Sequence, residues 1–129
     1  MEGGKKKILI VDDDNFLLDM YALKFSQSNF EVHTAPSGVE AITKLTGGLS
    51  PHVILLDIIM PEMDGFEMLE KINKDNLSPN SVKIILSNKS EQQDIDRGNT
   101  LGVSGYIVKA NSTPKEVIEQ VNSILAKKI

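Results

Sequence analysis

Cysteine is absent from all 129 residues. Its absence removes a disulfide framework, a thiolate zinc site and cysteine nucleophiles, and it fits a reducing compartment, so the cytoplasm is the expected setting. Basic residues are in deficit, with fourteen against eighteen acidic ones and a net charge of -4. A nucleic-acid surface held by counterion release has no global support from that balance, and DNA drops out as a direct ligand. Long hydrophobic runs are missing as well. Behind the basic start Lys5-Lys6-Lys7 the apolar stretch is only Ile8-Leu9-Ile10-Val11 before three aspartates cut it, so no secretory leader is expected. Nothing approaches the roughly 20 apolar residues of a bilayer span, and no membrane insertion is expected. No internal repeat, low-complexity tract or long linker divides the chain.

What is present is an ordinary globular composition, 40% hydrophobic and 25% charged, which excludes disorder, collagen and coiled coil for the whole chain. The length fits one domain that buries about two thirds of its unfolded surface. Short apolar runs recur at Ile8 to Val11, Val53 to Leu56, Val82 to Leu86 and Tyr106 to Val108. They lack the alternation of a half-solvated strand, the mark of a parallel sheet covered on both faces. Phe30-Glu31-Val32-His33-Thr34 does alternate, as an edge strand would.

Segments with helical spacing lie between these runs, several opened by a capping box. Ser37 with Glu40 opens a helix carrying Ala41, Ile42 and Leu45 that stops at Gly47-Gly48, where glycine takes a left-handed cap. Asp64 with Glu67 opens one carrying Phe66, Leu69 and Ile72. Thr113 with Glu116 opens the last, where Pro114 sits in the first turn and Val117, Ile118, Val121, Ile124 and Leu125 form one apolar stripe. A first helix from about Asp14 places Leu18, Tyr21, Ala22 and Phe25 on one face. Ser90 with Gln93 is the expected cap of the fourth helix, whose body from Asp94 to Thr100 offers only Ile95 as an apolar anchor and should be the most mobile. Leu77-Ser-Pro-Asn-Ser81 reads as a surface loop. Strand and helix thus alternate five times, which predicts an α/β fold with a doubly wound five-stranded parallel sheet and helices on both faces.

In such a sheet, ligands bind beyond the carboxyl ends of the strands. The first strand runs into Asp12-Asp13-Asp14, the third into Asp57, the fourth into Ser87 and the fifth into Lys109. Asp14 fits a helix N-cap, but three successive carboxylates exceed what a cap needs and repel one another unless a cation compensates them. Asp57 is one ionisable group in an otherwise apolar stretch, and buried aspartate is rarely unpaired. Ser87, Lys109 and Tyr106 have ordinary structural readings singly, and their position raises the first two. His33 and His52 lack partners at ligand spacing and read as structural. Met20, Met63 and Met68 read as packing. Oxygen-only ligands point to a hard cation, Mg²⁺ before Ca²⁺, with Mn²⁺ as an alternative. Beside it Asp57 is placed to attack a phosphoryl group as a carboxylate nucleophile, with Lys109 balancing charge.

With these pieces, "ILIVDDD", "VILLDIIMPEMDGFEML", "KIILS" and "LGVSGYIVKA", the chain resembles the receiver domain of two-component response regulators, from about residue 5 to 127. The resemblance implies a flavodoxin-like sheet in strand order 2-1-3-4-5. It implies Asp57 as phosphoacceptor, Asp13 as direct metal ligand, Asp12 as its acidic companion and the Ile59 carbonyl as a further ligand. It also implies Ser87 and Lys109 as the residues that bond the phosphoryl group, and Tyr106 as the aromatic whose rotation reports the state. Ala110 stands where the family usually has proline, and Asn88 where it usually has alanine or glycine. Leu101 and Val103, where alanines are common, imply bulkier packing under the fourth helix. The Lys109–Ala110 bond is expected to be trans, since a cis bond before a non-proline residue costs about 2.5–4 kcal/mol.

The implied activity is phosphorelay signalling without turnover of a separate substrate. A sensor histidine kinase or histidine phosphotransfer protein is the expected donor. With no room seen for an output domain, a stand-alone receiver is expected, passing its signal by docking an output protein on the fourth helix, fifth strand and fifth helix. Three rivals remain. A Mg²⁺-dependent phosphohydrolase with an aspartyl intermediate wants a second carboxylate where Ile59 stands. A flavin or dinucleotide carrier wants a phosphate loop where three aspartates would repel it. A phosphorylation-independent docking module leaves the acidic cluster unexplained.

Overall fold

The computed structural model describes residues 4–127. Strand and helix alternate through β1 (Lys6–Val11), α1 (Asn15–Gln27), β2 (Phe30–Ala35), α2 (Gly38–Thr46), β3 (Val53–Leu56), α3 (Gly65–Lys74), β4 (Val82–Ser87), α4 (Gln92–Thr100), β5 (Gly105–Val108) and α5 (Pro114–Lys127), with a 3₁₀ turn over Lys109–Asn111. All sheet pairings are parallel, in the order β2-β1-β3-β4-β5. The five-stranded, flavodoxin-like architecture is the one expected from the apolar runs, and β2 is an edge.

Because side chains alternate across a strand, the all-apolar runs feed two cores at once. Ile8, Ile10, Val53, Leu55, Ile84 and Leu86 pack on one face with Leu18, Tyr21 and Phe25 of α1 and Val117 and Val121 of α5. Leu9, Val11, Ile54, Leu56 and Ile85 pack on the other with Ala41 and Leu45 of α2 and Phe66, Met68, Leu69 and Ile72 of α3. Leu101, Val103 and Tyr106 join that second face as half-buried members, as do Ile42 and Met63. Among the described residues no helix is long and apolar enough to cross a membrane.

The caps follow the sequence with one shift. Asp64 and Glu67 form a reciprocal box on α3, and Thr113 and Glu116 form another on α5. Ser37 Oγ accepts the Glu40 N–H at 3.1 Å, and the left-handed residue after α2 is Gly48 at φ 110°. On α4 the expected Ser90–Gln93 cap is replaced. The helix starts at Gln92, and Asp94 Oδ2 accepts the N–H of Glu91 at 3.1 Å. Asp94 is buried and its other oxygen lies 3.4 Å from Lys89 Nζ, so a carboxylate with a cation beside it displaces a neutral amide as the capping acceptor. The anchor of α4 also differs: Asp94 and Gly98 are its buried residues, whereas Ile95 is half-buried.

Two smaller readings are corrected. In the 77–81 loop Ser78 and Ser81 are buried; their hydroxyls bond each other, and Ser81 donates to the Pro51 carbonyl at 2.5 Å. His33 does have an acidic partner, Glu31, two residues along the same strand at 2.8 Å. This exposed pair brings no third ligand, so His33 stays outside metal chemistry, and His52 Nδ1 accepts the Lys7 N–H.

Candidate functional site

Adjacent parallel strands in register place the residues that follow them side by side. Val11 pairs with Leu56, so Asp12 and Asp57 leave the sheet next to each other, at the point where β1 has β2 on one flank and β3 on the other. Backbone bonds extend the ladder one step, from Asp57 N–H to the Val11 carbonyl at 3.0 Å and from Asp12 N–H to the Ala35 carbonyl at 3.2 Å. Both carboxylates are therefore held by sheet continuation. On the other flank Ser87 pairs with Val108, which sends Lys109 out beside the end of β4.

Lys109 Nζ reaches back over β4 to Asp12 Oδ2 at 2.6 Å and Asp57 Oδ2 at 2.8 Å. The two oxygens of Asp57 are thereby distinguished. Oδ1 accepts the N–H groups of Ile58 at 2.7 Å and Ile59 at 3.3 Å, while Oδ2 faces the lysine. Asp12 Oδ1 accepts the Asp14 N–H at 2.9 Å, and Asp14 caps α1 by accepting from Leu17. Burial pushes the Asp12 carboxyl up, against the lowering pull of Lys109 and the Asp14 N–H. For Lys109 burial acts downward, but the bonds to Asp12 and Asp57 outweigh it and its ammonium is held above the ordinary lysine value.

Asp12, Asp13 and Asp57 each present a carboxylate oxygen within 4.8 Å of the others, two of them buried and Asp13 exposed. Three hard oxygens with an open side fit a small divalent cation that keeps several waters, which is the donor chemistry of Mg²⁺. A cleft of ≈ 330 Å³ opens over them, lined also by Asp14, Leu17, Ile59, Asn88 and Lys109. Ile59 itself is 60% exposed at its rim.

Asp12, Asp13, Asp57, Ile59 and Lys109 thus gather in one cleft. Ser87 stands one strand from Asp57, at the end of β4, and Tyr106 two strands away, in β5. Ser87 is fully buried with its Oγ accepting the Lys89 N–H at 3.3 Å. Tyr106 is half-buried and its hydroxyl donates to the Lys89 carbonyl. Burial first, then the negative charges of Asp94 and Asp57, push that phenol up to about 12. Asn88, read from the sequence only as a departure from a family pattern, lines the cleft and accepts the Ala110 N–H at 2.7 Å. No peptide bond among the described residues is cis, so Lys109–Ala110 is trans as expected.

The sequence matches the model of the response regulator receiver domain family over residues 8–122. A probable transcriptional regulator, ycf27, of Cyanophora paradoxa is 34% identical over 125 residues, covering 97% of this chain and 50% of that protein. The response regulator SaeR of Staphylococcus aureus is 31% identical over 120 residues, covering 93% and 50%. The chain spans about half the length of these curated relatives. Among solved structures, a CheY-like receiver domain protein of Methanospirillum hungatei superposes with a TM-score of 0.86 at 29% identity, covering 95% of each chain. The chemotaxis response regulator CheY4 of Vibrio cholerae gives 0.83 at 25% identity, covering 93% of this chain and 98% of that one.

Proposed function

Because this chain belongs to the response regulator receiver family, we propose that residues 5–127 act as one receiver unit that takes a phosphoryl group from a phosphohistidine donor onto Asp57. The observation that carries this is the asymmetry of Asp57: Oδ1 is occupied by two backbone N–H donors and Oδ2 is turned to Lys109 at the cleft. A carboxylate held in this way presents one oxygen to an incoming phosphorus in a fixed direction. The Oδ2–P bond forms as the P–N bond of the donor breaks, and the electron pair of that bond returns to the donor imidazole. Lys109 pairs with Asp57 beforehand and with a phosphoryl oxygen afterwards, so its charge stays compensated throughout. Asp12, Asp13 and Asp57 with the Ile59 carbonyl would hold Mg²⁺, or Mn²⁺ in its place, which when bound supplies positive charge against the phosphoryl oxygens.

The donor is a sensor histidine kinase or a histidine phosphotransfer protein, and the setting is the cytoplasm. Ser87 and Tyr106 carry the switch. Ser87 lies at the end of β4, beside the site, and its bond to the Lys89 N–H is long enough to be exchanged for one to a phosphoryl oxygen. Tyr106 holds the Lys89 carbonyl of the same loop, so movement at Ser87 reaches the α4–β5–α5 face, where an output protein docks.

Intact-mass analysis after incubation with acetyl phosphate and Mg²⁺ tests the reading. One phosphoryl adduct is expected in the wild type and none in Asp57→Ala or with a chelator. An adduct that survives either change overturns the assignment.

A further inference from the structure

We propose that Asn88 is a positioning residue for Lys109, acting through the backbone N–H of Ala110; the inference rests on the phosphoacceptor reading above. Beyond Val108 the chain leaves the sheet, and β5 is an edge strand, with no strand among the described residues on its far side to hold the turn at Lys109. The direction of Lys109 is therefore set by its own turn, the 3₁₀ segment Lys109–Asn111, closed by the Ser112 N–H on the Lys109 carbonyl at 3.2 Å. Apart from its attachment to Val108 at the end of β5, that turn has no other backbone hydrogen bond to the sheet among the described residues, and Asn88 holds its second residue. The Asn88 Oδ1 accepts the Ala110 N–H at 2.7 Å and ties the turn to the end of β4, the strand over which Lys109 must reach. The register brings them together: Ser87 lies opposite Val108, so the residues one and two steps further on are within side-chain reach.

The chemistry of the two positions agrees with this role. A proline at 110 would have no N–H to give, and an alanine or glycine at 88 would have no oxygen to receive it. Two of the places where this chain departs from the receiver pattern, Asn88 and Ala110, are acceptor and donor of a single bond. A proline stiffens the turn covalently by fixing φ. This chain has a freer residue there and restores the restraint with a side chain from the neighbouring loop. Asn88 also lines the same cleft as Asp57 and Lys109, so the restraint acts at the mouth of the site.

The test is the rate of phosphorylation by acetyl phosphate, measured to saturation in donor, in the wild type, Asn88→Ala, Ala110→Pro and the double variant. One net hydrogen bond corresponds to about a two- to tenfold change. Asn88→Ala is expected to slow the saturated rate by that factor, and its effect on the rate is read against the double variant rather than against stability, since losing the bond also lowers the urea midpoint slightly. In the Ala110→Pro background the same substitution should have no effect, since the donor is already gone. Equal losses from Asn88→Ala in both backgrounds, or no loss in either, overturn the proposal. Amide exchange of Ala110 by NMR decides it without the proline variant. The amide should be protected in the wild type and exposed in Asn88→Ala, with the Lys109 Cε resonance shifting only in the latter; unchanged protection overturns the positioning role. A wild type that takes no phosphoryl adduct sinks the phosphoacceptor reading instead, while the Ala110 amide and the Lys109 resonance still report whether Asn88 holds the turn.

Discussion

Gly65→Ala is the substitution in which a single methyl group strikes the site through the backbone. Gly65 is the first residue of α3, directly after the Asp64 cap, and its N–H donates to the Ile58 carbonyl at 2.8 Å. A Cβ at this position would lie 2.4 Å from the Asp57 carbonyl oxygen and 2.8 Å from Ile58 Cα, where ordinary contact begins at 3.4 Å. The obstacle is main chain on both sides, so α3 and the Asp57–Ile58 peptide must separate by about 1 Å and the Gly65–Ile58 bond is strained or lost. Overpacking costs about 1–3 kcal/mol and the bond about 1 kcal/mol, while alanine recovers at most about 1 kcal/mol of helix propensity. A net loss of roughly 2 kcal/mol follows, or a fall in Tm of about 8 °C for a chain of this size. Urea unfolding and a thermal scan measure it, and a Mg²⁺ titration should weaken in parallel, because the displaced peptide carries Asp57. Gly105→Ala is the control: its Cβ would meet Ile124 Cδ1 at 2.5 Å, the far end of a side chain that can rotate away. If Gly65→Ala costs less than Gly105→Ala, or stays within about 0.5 kcal/mol of the wild type, then close backbone approach does not govern this turn.

Lys109→Met removes the cation between Asp12 and Asp57, both buried, and should lower stability in metal-free buffer by on the order of 3 kcal/mol while tightening Mg²⁺ binding measured by calorimetry. Stability and affinity both unchanged would show that the two ion pairs carry no weight. For the tyrosines, absorbance at 295 nm should rise well above pH 10, with the component lost in Tyr106→Phe centred at about 12 and Tyr21 also raised by its burial. A phenol whose folded value lies above its unfolded one contributes stability that is complete below about pH 10 and is lost as pH climbs toward 12, so alkaline unfolding should begin in that window. Ionisation of Tyr106 near 10 would place its hydroxyl in solvent.

How much of the fold and site was legible depends on the range of the interactions. Strands announced themselves because a sheet buried on both faces needs apolar residues at nearly every position, and the acidic cleft was readable because the carboxyl ends of all strands in a parallel sheet lie along one edge. Asp12, Asp13, Asp57 and Lys109 could be grouped from sequence for that reason alone. The cap of α4 could not. Ser90 and Gln93 have the right spacing, yet Asp94 takes the position because Lys89 supplies a charge at 3.4 Å, a contact that spacing rules do not weigh. Ser78 and Ser81 are similar: hydroxyls that look like turn chemistry are buried because the Pro51 carbonyl, thirty residues away, needs a donor. Asn88 and Ala110 show the limit most directly, since a bond between a side chain and a backbone amide twenty-two residues on leaves no periodic trace.

The same distinction bears on which part of the fold can switch. α1, α2, α3 and α5 are attached to the sheet by apolar side chains, and such contacts lose close packing with small displacements. α4 buries an aspartate and a glycine, and its leading loop is held by Lys89 through its ammonium to Asp94 and through its carbonyl to Tyr106. Polar contacts of this kind can exchange one partner for another of equal strength, so under the proposed function a new charge at Asp57 would compete for donors here without first breaking a hydrophobic interface. Ser87 is the point of contact between the two regions: its Oγ accepts from Lys89, and its strand ends beside Asp57 and Lys109. The weak apolar patterning of α4 thus reflects attachment through polar groups, Asp94 and the Lys89 loop. Under the proposed function, the part of the α4–β5–α5 face that a phosphoryl group would rearrange first is the one formed by α4 and β5, whose contacts are polar.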